Sequence, residues 1–182
     1  MSHEHERLLP SPWVRRFAAL IRAGGRVLDV ACGSGRHTRL LADAGFHVTA
    51  LDRDREATQS LASLPGVRVL IADIESQSWP LEGERFDAVV VTNYLHRPLF
   101  ASLLTAVDDA GLLIYETFAR GNERYGRPTN PDFLLEPGEL LVRVAPLRVL
   151  AYEDLYVDSP KPALVQRICA IRSDVVPQPS TC

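Results

Sequence analysis

Between residues 26 and 44 an apolar run, Arg-Val-Leu-Asp-Val, passes into the turn Ala-Cys-Gly-Ser-Gly and then into a stretch of helical spacing. That succession leaves a chain little choice. Val27, Leu28 and Val30 read as a buried strand, Gly33 and Gly35 allow backbone conformations and close approaches that a Cβ forbids, and Arg36 to Ala44 turns Leu40 and Leu41 inward. Strand, glycine turn and helix in that order open a parallel sheet with the turn at its ligand-binding edge.

Two more strands follow the same rule. Gly45 ends the helix and His47 to Leu51 form a strand finishing at Asp52, while Pro65-Gly66 turns the chain into Val67 to Ala72, finishing at Asp73-Ile74. One acid after one strand is most simply a cap or a solvated turn. Asp29, Asp52 and Asp73 after three consecutive strands favour a shared ligand instead. A carboxylate roughly twenty residues past the first strand accepts hydrogen bonds from ribose hydroxyls in this architecture. Asp73 is placed to accept from an exocyclic amine, with Ile74 against the ring.

Nicotinamide dinucleotides and S-adenosylmethionine both carry that ribose. A dinucleotide turn asks for Gly-x-Gly-x-x-Gly, and counted from Gly33 the third glycine position holds Thr38. Asp29, just before the turn, suits a ligand bearing an ammonium group rather than a pyrophosphate. The residues therefore favour S-adenosylmethionine. A nicotinamide-dependent oxidoreductase and a non-catalytic cofactor-binding module stay open as alternatives.

With these residues in view, the chain resembles the class I S-adenosylmethionine-dependent methyltransferases, and among them the small bacterial tellurite-resistance-like and type 11/12 methyltransferase-domain proteins, over most of residues 13 to 171. The resemblance implies an α/β fold, a Rossmann-like doubly wound seven-stranded sheet of order 3-2-1-4-5-7-6 with strand 7 antiparallel. It implies that Asp29, Gly33 and Gly35 meet the methionine part of the cofactor, that Asp52 holds the ribose, and that Asp73 and Ile74 meet the adenine; Ala31, Cys32 through its backbone amide, and Arg53 are further candidate cofactor-binding residues. Ala31 departs from the commonest family pattern, which has glycine there. The resemblance further implies in-line methyl transfer, with the residues after the fourth strand lining the transfer site.

That fourth strand is the continuous apolar run Phe86 to Thr92, followed by Asn93-Tyr94-Leu95-His96. Asn93 is placed for the methionine end of the cofactor, and Tyr94 and His96 are the candidate catalytic residues, His96 as an acid-base group. Its alternative is a capping histidine beside Pro98. The Asn/Asp-Pro-Pro-Tyr signature of enzymes that methylate amide or exocyclic amino nitrogens is missing, and the net charge of -3 advertises no nucleic-acid surface. A small-molecule acceptor is expected.

Ser11 and Pro12 read as the cap and first turn of a helix with Val14, Phe17, Ala18 and Ile21 on one face. Trp13, Arg15 and Arg16 then come within reach of the ligand, although a packed tryptophan beside a surface arginine pair is the favoured reading. The polar stretch 75 to 85 leaves room only for a short crossover. Leu99 to Val107 reads as a helix and Gly111 to Thr117 as strand five. Residues 118 to 138, rich in glycine and proline, read as a long loop, either a lid that closes over the substrate or a solvated connection. Glu139 to Val144 forms a last helix, and Leu147 to Val157 and Ala163 to Arg172 form an antiparallel pair.

A chain of 182 residues buries one sizeable core. The expected division is a leader over 1–10, one domain over 11–174 and a tail over 175–182. Three cysteines without paired spacing indicate neither a disulfide framework nor a zinc site. His3 and His5 belong to the polar leader. No apolar stretch approaches a membrane span and no signal peptide is legible, so a cytoplasmic protein is expected. Oligomeric state is not legible.

Overall fold

The structure, a computed structural model, describes residues 9–173. The expected leader, apart from residues 9 and 10, and the expected tail lie outside the described residues. Seven strands form one sheet: β1 (Arg26–Val30), β2 (His47–Asp52), β3 (Val67–Ile71), β4 (Phe86–Thr92), β5 (Val107–Phe118), β6 (Arg148–Val157) and β7 (Ala163–Ile171). Their order is β3-β2-β1-β4-β5-β7-β6. Neighbours from β3 through β5 pair in parallel, and β7 runs antiparallel to both β5 and β6. The order implied by the resemblance is the order found.

The sheet is covered on both faces, which explains why its central strands read as unbroken apolar runs. In β4, Ala88 and Val90 pack with Trp13, Val14, Phe17 and Leu41, while Val89 and Val91 pack with Phe100, Leu103 and Leu140. The first face carries α1 (Pro12–Ala18) and α2 (Arg36–Asp43); the second carries α4 (Phe100–Ala106) and α5 (Glu139–Arg143). Between β2 and β3 lies only the short α3 (Arg55–Thr58), continued by a 3-10 turn to Leu61. Between β3 and β4 no helix forms, as the polar stretch 75 to 85 predicts.

One boundary moves. Strand five begins at Val107, four residues before the expected Gly111, because Val107 already pairs with Phe86 across an irregularity in the ladder. Gly111 sits inside that irregularity, where a Cβ would stand 2.8 Å from the Asp108 carbonyl and 2.9 Å from that of Phe86. Among the described residues no helix is long and apolar enough to cross a membrane.

Candidate functional site

Strand parity decides which side chains meet the start of α2. Asp29, Thr92 and Glu116 occupy alternate positions to the residues facing α4, so they project toward α1 and α2 from three adjacent strands, β1, β4 and β5. The first three residues of α2 meet them in turn. Thr38 Oγ1 donates to Asp29 Oδ2 at 2.6 Å, His37 Nδ1 lies 3.2 Å from Thr92 Oγ1, and the Glu116 and Asp29 carboxylates support the Arg36 guanidinium against its burial. Asp29 is 1% exposed, and that burial, opposed by the Thr38 hydrogen bonds, raises its pKa to about 6. Its carboxylate braces the helix from beneath the turn instead of lining the crevice, which alters the expected direct contact with a ligand's ammonium group.

Three amides of the turn are used within the fold. Cys32 N–H donates to the Leu51 carbonyl at 3.1 Å, Gly33 N–H to Asp52 Oδ2 at 2.7 Å and Gly35 N–H to the Cys32 carbonyl at 2.9 Å. The Cys32 amide expected to touch a ligand is thus used by the fold. Burial, followed by the Asp29 and Asp52 charges, pushes the Cys32 thiol up, away from nucleophile chemistry. Ala31 adopts φ 51°, the left-handed conformation for which glycine is the commoner choice, so the departure from the family pattern sits at a strained backbone position. Gly33 and Gly35 do different things. A Cβ on Gly33 would meet no atom within 4 Å, whereas one on Gly35 would stand 2.5 Å from Leu61 Cδ1. Gly35 lets α2 pack on α3's extension; Gly33 leaves an open cradle.

Beside that cradle stand the other acids. Asp52 Oδ1 accepts from the Asp54 amide at 2.9 Å, so each carboxylate oxygen already holds one N–H and keeps one lone-pair direction for a ligand. Arg53 is exposed next to it. Asp73 is half-buried and accepts from the Glu75 amide at 3.1 Å, which with Ser76 holds its carboxyl below the ordinary value. Ile74 is 8% exposed within the core, so only its edge is left for a ring. With its carboxylates forward, this edge suits hydroxyl, amine and ammonium groups.

After β4, Asn93 is exposed at φ 54°, fixed by its N–H donating to the Glu116 carbonyl at 2.9 Å. Tyr94 follows, half-buried. Its hydroxyl is buried near the Glu75 carboxylate without a well-formed hydrogen bond among the described residues, and burial, then the interaction with Glu75 and the Asp73 charge, raises its pKa. A phenol so placed is a poor base. His96 is half-buried, and its side chain makes no hydrogen bond among the described residues.

Sequence reasoning missed two side chains. His37, 2% exposed, accepts the Ser11 N–H at Nε2 (2.9 Å), which places its proton on Nδ1 toward Thr92; burial, then Arg36 and Arg15, lowers its pKa to about 3. Arg97 binds both oxygens of Glu139 (2.8 and 2.9 Å) and the carbonyls of Asp132 (2.7 Å) and Leu134 (2.8 Å). Burial opposes Glu139 ionisation, but Arg97, the Glu136 amide and Arg143 overcome it and hold the carboxyl at about 2. These contacts tether residues 118 to 138. Leu134 and Leu135 are in the core, Ala119 bridges Leu135, and buried Asn122 accepts from the Leu164 amide at 3.2 Å. The expected closing loop is pinned at both ends, leaving an exposed tip from 123 to 133. Arg97, Phe100, Arg120, Glu136 and Val142 line an open cleft of about 780 Å³. Trp13 takes the packed alternative, its Nε1–H donating to the Ile168 carbonyl at 3.2 Å.

A family model described as a methyltransferase domain matches residues 27–110. A ubiquinone biosynthesis O-methyltransferase of Ralstonia nicotianae is 34% identical over 122 residues, 62% of this chain and 50% of that protein. A ribosomal RNA small subunit methyltransferase H of Cyanothece is 39% identical over 88 residues, 43% of this chain and 30% of that protein. The chain spans about half the length, or less, of the curated relatives it matches. Among solved structures, TehB from Haemophilus influenzae superposes with a TM-score of 0.75 at 18% identity, covering 90% of this chain and 63% of that one. Residues 27–110 thus match a methyltransferase-domain model, and the chain as a whole shares the fold of that solved structure.

Proposed function

We propose that this protein binds S-adenosylmethionine along the carboxyl edge of β1 to β4 and transfers its methyl group to a small-molecule acceptor. The observation that carries the reading is the open face of Gly33 beside Asp52 and Asp73, whose carboxylates keep lone pairs for a ligand. Asp52 would accept from the ribose hydroxyls and Asp73 from the adenine amine, while Asn93 faces the methionine end. Asp29, Cys32 and Ile74 would act by shaping the turn and the floor beneath the ligand. The bound cofactor supplies an activated methyl group on a sulfonium, open to in-line displacement by an acceptor lone pair. The protein's part is to orient the acceptor on that line and to exclude water.

His96 is the group available for taking an acceptor proton, since Tyr94 is held protonated. Thiols and similar soft acceptors need no such base. The relatives act, by their names, on chemically different acceptors, so the acceptor class rests on this chain's own features: net charge -3 and an exposed loop tip bearing acids beside its arginines. Incubation with methyl-labelled S-adenosylmethionine and a panel of thiols, metalloid oxyanions, phenols, carboxylates and transfer RNA tests this. Labelling of a small acceptor is expected. Label confined to RNA would overturn the acceptor class, and binding without turnover across the panel would point to a cofactor-binding module.

A further inference from the structure

His37 is a buried histidine that the transfer reaction does not use, yet both its ring nitrogens are engaged by segments remote in sequence. Nε2 takes the Ser11 amide proton, 26 residues back, and Nδ1 meets Thr92, 55 residues on. With Nε2 accepting, the ring is neutral and carries its proton on Nδ1, so it donates to Thr92 Oγ1. Thr92 is the last residue of β4, and Asn93 follows it directly in a left-handed conformation that asparagine tolerates, its N–H on the Glu116 carbonyl, so the placement of Thr92 sets where Asn93 begins. Ser11 in turn caps α1, its Oγ accepting from Trp13 N–H at 3.0 Å. One ring thus ties the entry of α1, the first turn of α2 and the exit of β4 into a single unit at the crevice.

We propose that His37 is a positioning residue that fixes Asn93, and with it the methionine end of the cofactor site, through Thr92. The inference rests on the cofactor reading above. It has a ligand-free readout and a binding readout, so failure of one is separable from failure of the other. In the free protein, nitrogen NMR of the imidazole should report the Nδ1–H tautomer, and Thr92→Val should shift that resonance. In calorimetry with S-adenosylhomocysteine, Thr92→Val and His37→Phe should each weaken binding about tenfold, the equivalent of one lost hydrogen bond. The double variant should lose no more than either single one, because both break the same link. His37→Gln, which keeps an amide near both partners, should recover most of the affinity.

Melting temperatures of the same variants separate positioning from support. A purely structural histidine would lower the melting temperature and leave affinity within twofold of the unaltered protein, which would overturn the proposal; so would additive losses in the double variant. If His37→Phe does not fold, Thr92→Val alone decides, with tenfold weakening expected and unchanged affinity contradicting. An unaltered protein that binds no S-adenosylhomocysteine while showing the Nδ1–H tautomer would defeat the cofactor reading instead.

Discussion

Gly33→Ala and Gly35→Ala add the same methyl group to neighbouring corners of one turn, and the two substitutions should fail in opposite ways. Both glycines have positive φ, 54° and 79°, which costs an alanine about 1 kcal/mol. At Gly35 the added Cβ also drives into Leu61, which is fully buried, so its side chain has no free volume to yield into. Overpacking of that kind adds about 2 kcal/mol, for a total of about 3 kcal/mol and a melting temperature lower by roughly 6–12 °C in a chain of this size. At Gly33 no atom lies within 4 Å, so the fold loses only about 1 kcal/mol and roughly 2–4 °C. The methyl group there occupies the cradle, and affinity for S-adenosylhomocysteine should drop at least about tenfold, which is about 1.4 kcal/mol of crowding. Thermal melting and titration calorimetry on the two variants check both halves. Gly33→Ala with undiminished affinity would refute the cradle, and Gly35→Ala melting with the unaltered protein would refute the packing argument.

Three further outcomes follow from the site. Tyr94→Phe removes a buried hydroxyl without a well-formed hydrogen bond, so stability should hold or rise by up to about 1 kcal/mol and turnover should persist; a large loss of turnover would restore Tyr94 as a catalytic group. The pH profile of stability separates His37 from Asp29. His37 is lowered from 6.5 to about 3, so the stability it confers is present above pH 6.5 and lost as pH falls toward 3, whereas Asp29, raised from 3.8 to about 6, favours the folded state as pH falls from 6 to 3.8. Urea midpoints between pH 7 and 4 should decline less in His37→Gln, and an unchanged decline contradicts this. Arg97→Met should release the loop, raising amide exchange over residues 130 to 139 and freeing the Glu139 carboxyl from about 2 toward its ordinary value; exchange at the rate of the unaltered protein would show that Leu134 and Leu135 alone hold it.

Much of the fold was legible because its physics is local. The central parallel strands are buried on both faces and so appear as apolar runs, each ending at a polar or glycine turn, as at Val27 to Gly33 and Phe86 to Asn93. The strand order came from the resemblance rather than from any pattern in the residues. What stayed hidden depends on contacts between distant segments. Nothing around His37 reveals that Thr92 waits 55 residues away, since the link arises from strand parity once β1, β4 and β5 are adjacent. Arg97 escaped notice because two of its partners are backbone carbonyls, which carry no residue signature. Asp29 and Cys32 are legible as members of the turn, but how far each is covered, Asp29 buried and Cys32 half-buried, depends on how α2 seats on the sheet. The loop after β5 was recognised from its glycines and prolines, and its tethering by Asn122, Leu134 and Leu135 was not.

The central claim is that the acids closing β2 and β3 and the open turn before α2 form one site for an adenosyl-sulfonium ligand. Calorimetric titration of S-adenosylhomocysteine and of NADH into the unaltered protein and into Asp52→Ala tests it most directly. The account predicts saturable one-site uptake of S-adenosylhomocysteine, weakened at least about tenfold in Asp52→Ala by the loss of charge-assisted hydrogen bonds, and no uptake of the dinucleotide. Equal affinity in the two proteins, or preferential uptake of NADH, would contradict it.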